Sequence, residues 1–401
     1  MKYWKDKIKA ALPLLCLLLL CACGSTEATT TYTATEICEN VMNQAELWEG
    51  IILSENAVFS LYGLDPALYT DGAVFQAPNG IFPHEGFVFL AKDRAAAKEL
   101  ASALEEHRQQ LLAQSRDYDP QTCAVLEQCS VTAEGNYVSL FLSPLHELME
   151  SVSRSAFTEE GLPPLKTVPT PEPTPKPTPE PTPEPVQGPV EDAWFDDVLL
   201  VGDSVTNNLA GYVWQCRERG WTSCMGNAIL FTAGNFSYHL AVAPQRPQLF
   251  FPVFQGITRT VESMVGMVKP GKLMVCMGMN DIALVGIDKT MENVDTLMGY
   301  CLGAKSDLKI ILMGMTPRMA GYEYTDLPNS LILRFNERLR LYAEEKGFYY
   351  LDSYEALADE NGCLRFEHCS DPYDMALHPN YEGCALWLDY IYEHCGEFNI
   401  Q

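Results

Sequence analysis

The chain is poor in positive charge. It has 401 residues, with 27 lysines and arginines against 53 aspartates and glutamates, a formal net charge of -26. Removing residues 1–22, which hold four lysines and Asp6, leaves 23 basic against 52 acidic residues, or -29. Nucleic-acid binding through phosphate contacts needs clustered Lys and Arg, so it is excluded as an expectation. Zinc-finger and zinc-ribbon cysteine spacings are absent, and no H-E-x-x-H occurs. This removes the common structural zinc modules and the zincin proteases. A G-x-S-x-G motif is also missing around the serine singled out below, which argues against a nucleophile elbow of the α/β-hydrolase kind. The apolar stretch at residues 10–21 is about a dozen residues long, too short for a spanning helix, which needs about 20.

What is present divides the chain. The basic residues 1–9 and the apolar stretch after them read as an export signal over residues 1–22. The stretch ends Leu20-Cys21-Ala22-Cys23-Gly24-Ser25 and resembles a bacterial lipobox, which implies lipidation of Cys23. A plain secretory signal cut after a small residue is the other reading. A lipid-anchored protein on the extracytoplasmic face of the membrane is expected, because two or more acyl chains hold stably. Export permits disulfides without requiring them. Cys363 and Cys369 flank a short polar loop and are the best candidate pair, whereas Cys276, inside an apolar strand pattern, reads as a buried thiol.

Residues 170–185 repeat Thr-Pro-Glu-Pro, with Lys replacing Glu once. Proline at every second position precludes a hydrogen-bonded ladder and favours polyproline II. At about 3.1 Å per residue the run spans roughly 50 Å. A spacer is expected over residues 161–190; a docking motif for an aromatic groove is the alternative. Before it, residues 34–157 read as a small α+β domain. A helix is expected over 92–115, with Leu100, Leu104, His107 and Leu111 on one face and His107 at the core edge. Strands are expected at 86–91 and 131–142, the latter broken at Glu134-Gly135-Asn136. With Leu61-Tyr62-Gly63-Leu64 and Gly135-Asn136-Tyr137-Val138, this region resembles a domain of unknown function found in bacterial lipoproteins. The resemblance supplies no activity.

Residues 192–401 alternate strand and helix. Strands are expected at 198–202, 228–233, 273–277, 310–313 and 349–351, and helices at 205–219, 258–268, 290–304, 328–346 and 380–394. Repeated β-α units imply a parallel sheet with helices on both faces. The site of such a fold lies at the carboxyl ends of the strands.

Four blocks sit at such ends. They are Gly202-Asp203-Ser204, Ala233-Gly234-Asn235, Gly278-Met279-Asn280-Asp281 and His378-Pro379-Asn380. Together, in this order, they resemble the SGNH (GDSL-like) hydrolases. The resemblance implies a flavodoxin-like three-layer α/β/α sandwich and a serine esterase. A serine hydroxyl is a weak nucleophile until a base takes its proton. Ser204 is the expected nucleophile and His378 the expected base. The Ser204 N–H, the Gly234 N–H and the Asn280 amide are the expected oxyanion donors; Gly226 is a rival for Gly234. Asp203 and Asp281 are expected to hold loops by hydrogen bonds to backbone. Arg318 reads either as a substrate contact or as a solvated side chain.

One position departs from the family pattern. The acid usually lies three residues before the histidine, where this chain has Met375. Asp374, four before His378, is the expected acid. Asp371, seven before, and a dyad oriented by a backbone carbonyl are the alternatives. The expected reaction is hydrolysis of short O-acyl esters, acetyl above all, on a small molecule or a polysaccharide. Acyl transfer to a sugar and a degenerate scaffolding lipoprotein are the competing functions. Ser–His chemistry requires neither a metal nor an organic cofactor, so none is expected.

Overall fold

A computed structural model describes residues 30–48, 50–77, 84–116, 120–167, 189–243, 251–398 and 400. The signal, Cys23 and the threonine-proline repeats lie outside them. No helix among the described residues is long and apolar enough to cross a membrane.

The N-terminal unit is built on strands β1 (Ile51–Ile52), β2 (Tyr69–Ala77), β3 (His84–Ala91), β4 (Thr132–Glu134) and β5 (Tyr137–Leu142). They form an antiparallel sheet of order β1-β2-β3-β5-β4. Side chains alternate between its faces with period two. Val74, Phe87, Phe89, Val138 and Leu140 pack with Leu100 and Leu104 of helix α3 (Arg94–Ser115). Phe75, Val88, Tyr137 and Phe141 pack instead with α1 (Ala34–Gln44) and α5 (His146–Ser155). Two shorter helices, α2 (Glu55–Tyr62) and α4 (Pro120–Gln128), complete the unit. The sequence reading had not placed β2, α1, α2, α4 or α5. Local signals for α1 exist: Thr33 and Glu36 form a reciprocal capping box.

The C-terminal unit holds β6 (Val198–Gly202), β7 (Ile229–Thr232), β10 (Lys272–Cys276), β11 (Lys309–Met313) and β12 (Tyr349–Leu351). All pair in parallel, in the order β7-β6-β10-β11-β12. Numbered by first appearance in that sheet, this is 2-1-3-4-5, the flavodoxin-like order. Every residue of β6 and β10 is buried, as strands covered on both faces require. Helices α6 (Ser204–Glu218), α11 (Ser353–Leu357) and α12 (Tyr381–Cys395) pack together. So do α7 (Tyr238–Val242), α8 (Val261–Val268), α9 (Met279–Ala304) and α10 (Asn329–Lys346).

Two helices start elsewhere than expected. Thr260 caps α8, and the residues before it form a small hairpin, β8 (Val253–Phe254) with β9 (Ile257–Thr258). Helix α9 begins at Met279 and is interrupted at Gly286, whose φ of 78° and ψ of 162° break the helical path. The candidate disulfide is absent: Cys363 and Cys369 are both free thiols. Cys369 donates instead to Asp371 Oδ1 at 3.1 Å. Cys276 is a buried free thiol.

Candidate active site

The chain order reverses direction in the sheet between β6 and β10, and the two strands' carboxyl ends carry the first and third blocks. Strand β6 ends at Gly202, and Asp203 caps α6 by accepting from Val205 N–H at 3.2 Å. Its other oxygen accepts from Gly278 N–H at 3.3 Å, tying the first block to the third. Gly278 has a φ of 138°, outside the ordinary range of residues with a Cβ, and a Cβ there would sit 3.0 Å from the Phe335 ring. Ser204 therefore opens a helix, in the turn whose N–H groups have no intrahelical acceptor.

The third block in turn holds the second. Asp281 accepts from Tyr238 N–H at 2.9 Å and His239 N–H at 2.8 Å. Asn280 Nδ2 donates to Phe236 O at 3.0 Å. A turn from Ala233 to Phe236, closed by Phe236 N–H on Ala233 O at 3.1 Å, carries Gly234. Asp203 and Asp281 thus hold the loops through backbone N–H groups. Gly226 lies elsewhere, against Asp192 and Asp196.

Ser204 Oγ lies 2.9 Å from His378 Nε2. His378 Nδ1 lies 2.7 Å from Asp371 Oδ2. The expectation of Asp374 is corrected here: Asp374 is exposed, and Asp371 is the carboxylate on the imidazole. The loop explains why. Asp371 O accepts from both Asp374 N–H and Ala376 N–H at 3.0 Å, so residues 372–376 fold out as a bulge. Ala376 sits at a φ of 57°, which turns the chain back. Leu377 N–H and His378 N–H then both donate to Asp371 Oδ1, at 3.2 and 3.1 Å.

Arg318 fits neither sequence reading. It is buried, and its Nε donates to Met375 O at 2.7 Å while its Nη1 donates to Leu327 O at 3.2 Å. It ties the bulge to the loop after β11. Asn208, one turn along α6 from Ser204, donates to Pro379 O at 3.0 Å and fixes the other side of His378.

Burial raises Asp371, but the hydrogen bond and charge of His378 and the bonds from Cys369 and backbone outweigh it, leaving the carboxyl below its usual range. A carboxylate only accepts, so Nδ1 carries the imidazole proton. Nε2 is then the acceptor for the Ser204 hydroxyl. Burial pushes Asp203 up to about 6, against hydrogen bonds from backbone and the charge of His378. Burial likewise pushes Asp281 up to about 7, opposed by its two backbone donors and helped by Asp203. Ser204 and His378 are both fully shielded from solvent.

A cavity of about 180 Å³ runs beside them. Asn208, one turn from Ser204, Ser370, next to Asp371, and Pro379, next to His378, line it together with Gly234. Its opposite wall comes from the N-terminal unit, through Tyr62, Gln76, Glu85 and His107. Those residues were not foreseen as part of a site. They come from four elements, α2, β2, β3 and α3, with no common spacing. Among the described residues no group of three or more His, Cys, Asp or Glu is placed to hold a metal.

Residues 200–386 match the model of the GDSL-like lipase/acylhydrolase family. Residues 53–143 match DUF4358, a domain of unknown function. No curated protein matches the chain. Solved structures align with about half of its length. A GDSL-like lipase from Bacteroides thetaiotaomicron is 19% identical, covering 51% of this chain and 89% of its own, with a TM-score of 0.37. A carbohydrate esterase family 3 protein from Talaromyces cellulolyticus is 19% identical, covering 48% and 93%, with a TM-score of 0.31. The periplasmic domain of a lipopolysaccharide acetyltransferase from Salmonella ser. Paratyphi A is 18% identical, covering 49% and 82%, with a TM-score of 0.32. The C-terminal domain of this chain therefore belongs to the GDSL-like lipase/acylhydrolase family, and a DUF4358 domain precedes it.

Proposed function

We propose that the protein is a lipid-anchored extracytoplasmic esterase that hydrolyses short O-acyl esters, acetyl above all, through Ser204, His378 and Asp371. The observation that carries this reading is the unbroken chain of contacts from Ser204 Oγ through His378 to Asp371. It also weighs against a degenerate scaffold, which has no need of it. As the Ser204 oxygen bonds to the acyl carbon, its proton passes to His378 Nε2, and Asp371 stabilises the imidazolium. The carbonyl oxygen becomes an oxyanion facing the N–H groups of Ser204 and Gly234 and the second N–H of the Asn280 amide. Each such donor is worth roughly 10²- to 10³-fold. Collapse expels the alcohol, which takes the proton from His378. Water then attacks the acyl-enzyme by the same route, and the acid leaves.

The test is Ser204→Ala in the full chain. Wild type hydrolyses 4-nitrophenyl acetate and is labelled by a fluorophosphonate; the variant does neither. Equal rates would remove Ser204 from the reaction. Products made with and without a sugar acceptor distinguish hydrolysis from transfer. Membrane attachment through Cys23 rests on the lipobox resemblance. Cys23→Ala releases the protein from the membrane fraction if that reading holds, and an equally firm attachment would sink it.

A further inference from the structure

The N-terminal domain lies directly against the C-terminal one. Trp214, on α6, packs onto the hydrophobic core of the N-terminal unit. Ser54, the cap of α2, donates through Oγ to Glu218 Oε1 at 2.7 Å and through its N–H to Oε2 at 3.1 Å. Gly63, at the end of α2, meets Gly256 of the β8–β9 hairpin so closely that a Cβ on Gly63 would fall 2.3 Å from Gly256 Cα. Backbone touches backbone there, and neither position has room for a side chain.

This docking brings a buried polar network to the cavity. Glu85 is 5% exposed. Tyr62 OH donates to its Oε1 at 2.8 Å, and Gln76 Nε2 donates to Oε1 at 3.0 Å and to Tyr62 OH at 2.7 Å. His107 Nε2 lies 2.7 Å from Oε2. Burial raises Glu85, but His107, Tyr62 and Gln76 outweigh it and hold the carboxyl below its usual range. Glu85 is thereby saturated. Two polar atoms of the network have no hydrogen-bond partner among the described residues: Gln76 Oε1 and His107 Nδ1. Both side chains line the cavity.

We propose that the N-terminal domain supplies the subsite for the alcohol part of the ester, in which Gln76 and His107 bind its hydroxyl groups. The inference rests on the esterase reading and assigns one wall of that same cavity to a recognition role. The lining defines the ligand class. No lysine or arginine lines the cavity among the described residues, and His107 is already paired with Glu85, so no unmatched positive charge is there to neutralise a phosphate or carboxylate. Asn207, Asn208 and Asn380 make part of the wall polar, their amides held by Thr232 Oγ1, Pro379 O and Glu367 O, and Trp214 and Tyr381 offer aromatic faces. With Leu61, Leu111 and Leu230 also in the wall, the lining suits an uncharged group that carries hydroxyls on an apolar ring face, a sugar unit, better than an anionic headgroup. At roughly 10–15 Å³ per water-sized occupant, about 180 Å³ admits a group of sugar-ring size. The Glu85 network fixes the Tyr62, Gln76 and His107 side chains before any ligand arrives, which limits the ordering cost of binding.

The experiment uses the full chain and two esters: 4-nitrophenyl acetate, whose alcohol bears no further hydroxyl, and O-acetylated xylo-oligosaccharides. For Gln76→Ala and for His107→Ala, kcat/KM on the sugar ester falls at least tenfold further than on the aryl ester, with the extra loss in KM. Calorimetric titration of the same oligosaccharide into Ser204→Ala shows binding, and adding Gln76→Ala weakens it at least tenfold. Equal losses on both esters, or a ratio within twofold of wild type, overturn the proposal. If wild type neither takes the fluorophosphonate label nor hydrolyses the aryl ester, the esterase reading fails by itself. Calorimetry then decides the subsite: binding weakened by Gln76→Ala supports it, and absent or insensitive binding overturns it.

Discussion

Asp371 Oδ2 stands 2.7 Å from His378 Nδ1 across a seven-residue step in the chain. The same carboxylate receives the N–H groups of Leu377 and His378 on its other oxygen. One side chain thus orients the imidazole and shapes the loop that presents it. Asp371→Asn in the full chain should lower kcat by about 10⁴-fold, since an amide favours the wrong imidazole tautomer. Asp374→Asn should stay within tenfold of wild type. Steady-state rates on 4-nitrophenyl acetate check this, and the opposite ranking would restore Asp374 as the acid.

Asn280 has a bond to Phe236 O and a second N–H to offer. Asn280→Ala should lower kcat by roughly 10²- to 10³-fold and move KM little, because an oxyanion donor acts in the transition state. A loss confined to KM would mean that its part is only to shape the second block.

Asp281 stands at about 7 in the folded protein, against roughly 3.9 for an exposed aspartate. Folding therefore favours its neutral form. The stability this brings is complete below about pH 4 and is lost as pH rises through about 7. A three-unit shift corresponds to about 4 kcal/mol at most. Asp203, raised to about 6, acts with the same sign. Asp371, held low, acts oppositely: its contribution is present above about pH 4 and is lost only as pH falls through its lower folded value. Urea unfolding across pH 4 to 7 should show a flatter profile for Asp281→Asn than for wild type. Parallel profiles would refute the assignment.

Arg318 supplies donors to two carbonyls, the part-buried Met375 O and the buried Leu327 O. Arg318→Met leaves both without that donor and should cost about 2–4 kcal/mol. It should also lower kcat more than KM changes, because the loosened loop carries His378. Urea midpoints and the kcat-to-KM split test this together. Lost stability with full kcat would make Arg318 a fold residue only.

Trp214 is half-buried between the two domains. Trp214→Ala should cost about 1–3 kcal/mol, below the 3–5 typical of a fully buried aromatic. It should also uncouple the domains, so that one urea transition splits into two or broadens. An unchanged single transition would show that the other contacts suffice to hold them.

The strands of the C-terminal sheet were legible because β6 throughout and β10 after Lys272 are apolar and stop at glycine- and aspartate-rich turns. Ser204 and His378 were legible because each sits at a helix start beside such a turn, and the structure brings them together. The partner of His378 was not. Spacing in sequence favoured Asp374, but the bulge, closed on Asp371 O and turned at Ala376, places the nearer residue outside. No local pattern encodes that path. Arg318 was misread for a related reason: its acceptors are main-chain carbonyls, which have no signature in sequence. In the N-terminal domain, His107 was placed on the correct helix face, yet its partner Glu85 comes from a strand and could not be paired with it by periodicity.

The cavity beside Ser204 is walled by two folding units that belong to two different families. Recombination can exchange one unit while the reacting groups, all on the other, stay in register. New preferences for a substrate can therefore arise in such a lineage without any change to the atoms that make and break bonds. Selection on the N-terminal half should fall on the few positions that face the gap, and on Gly63, whose missing side chain keeps the halves in contact.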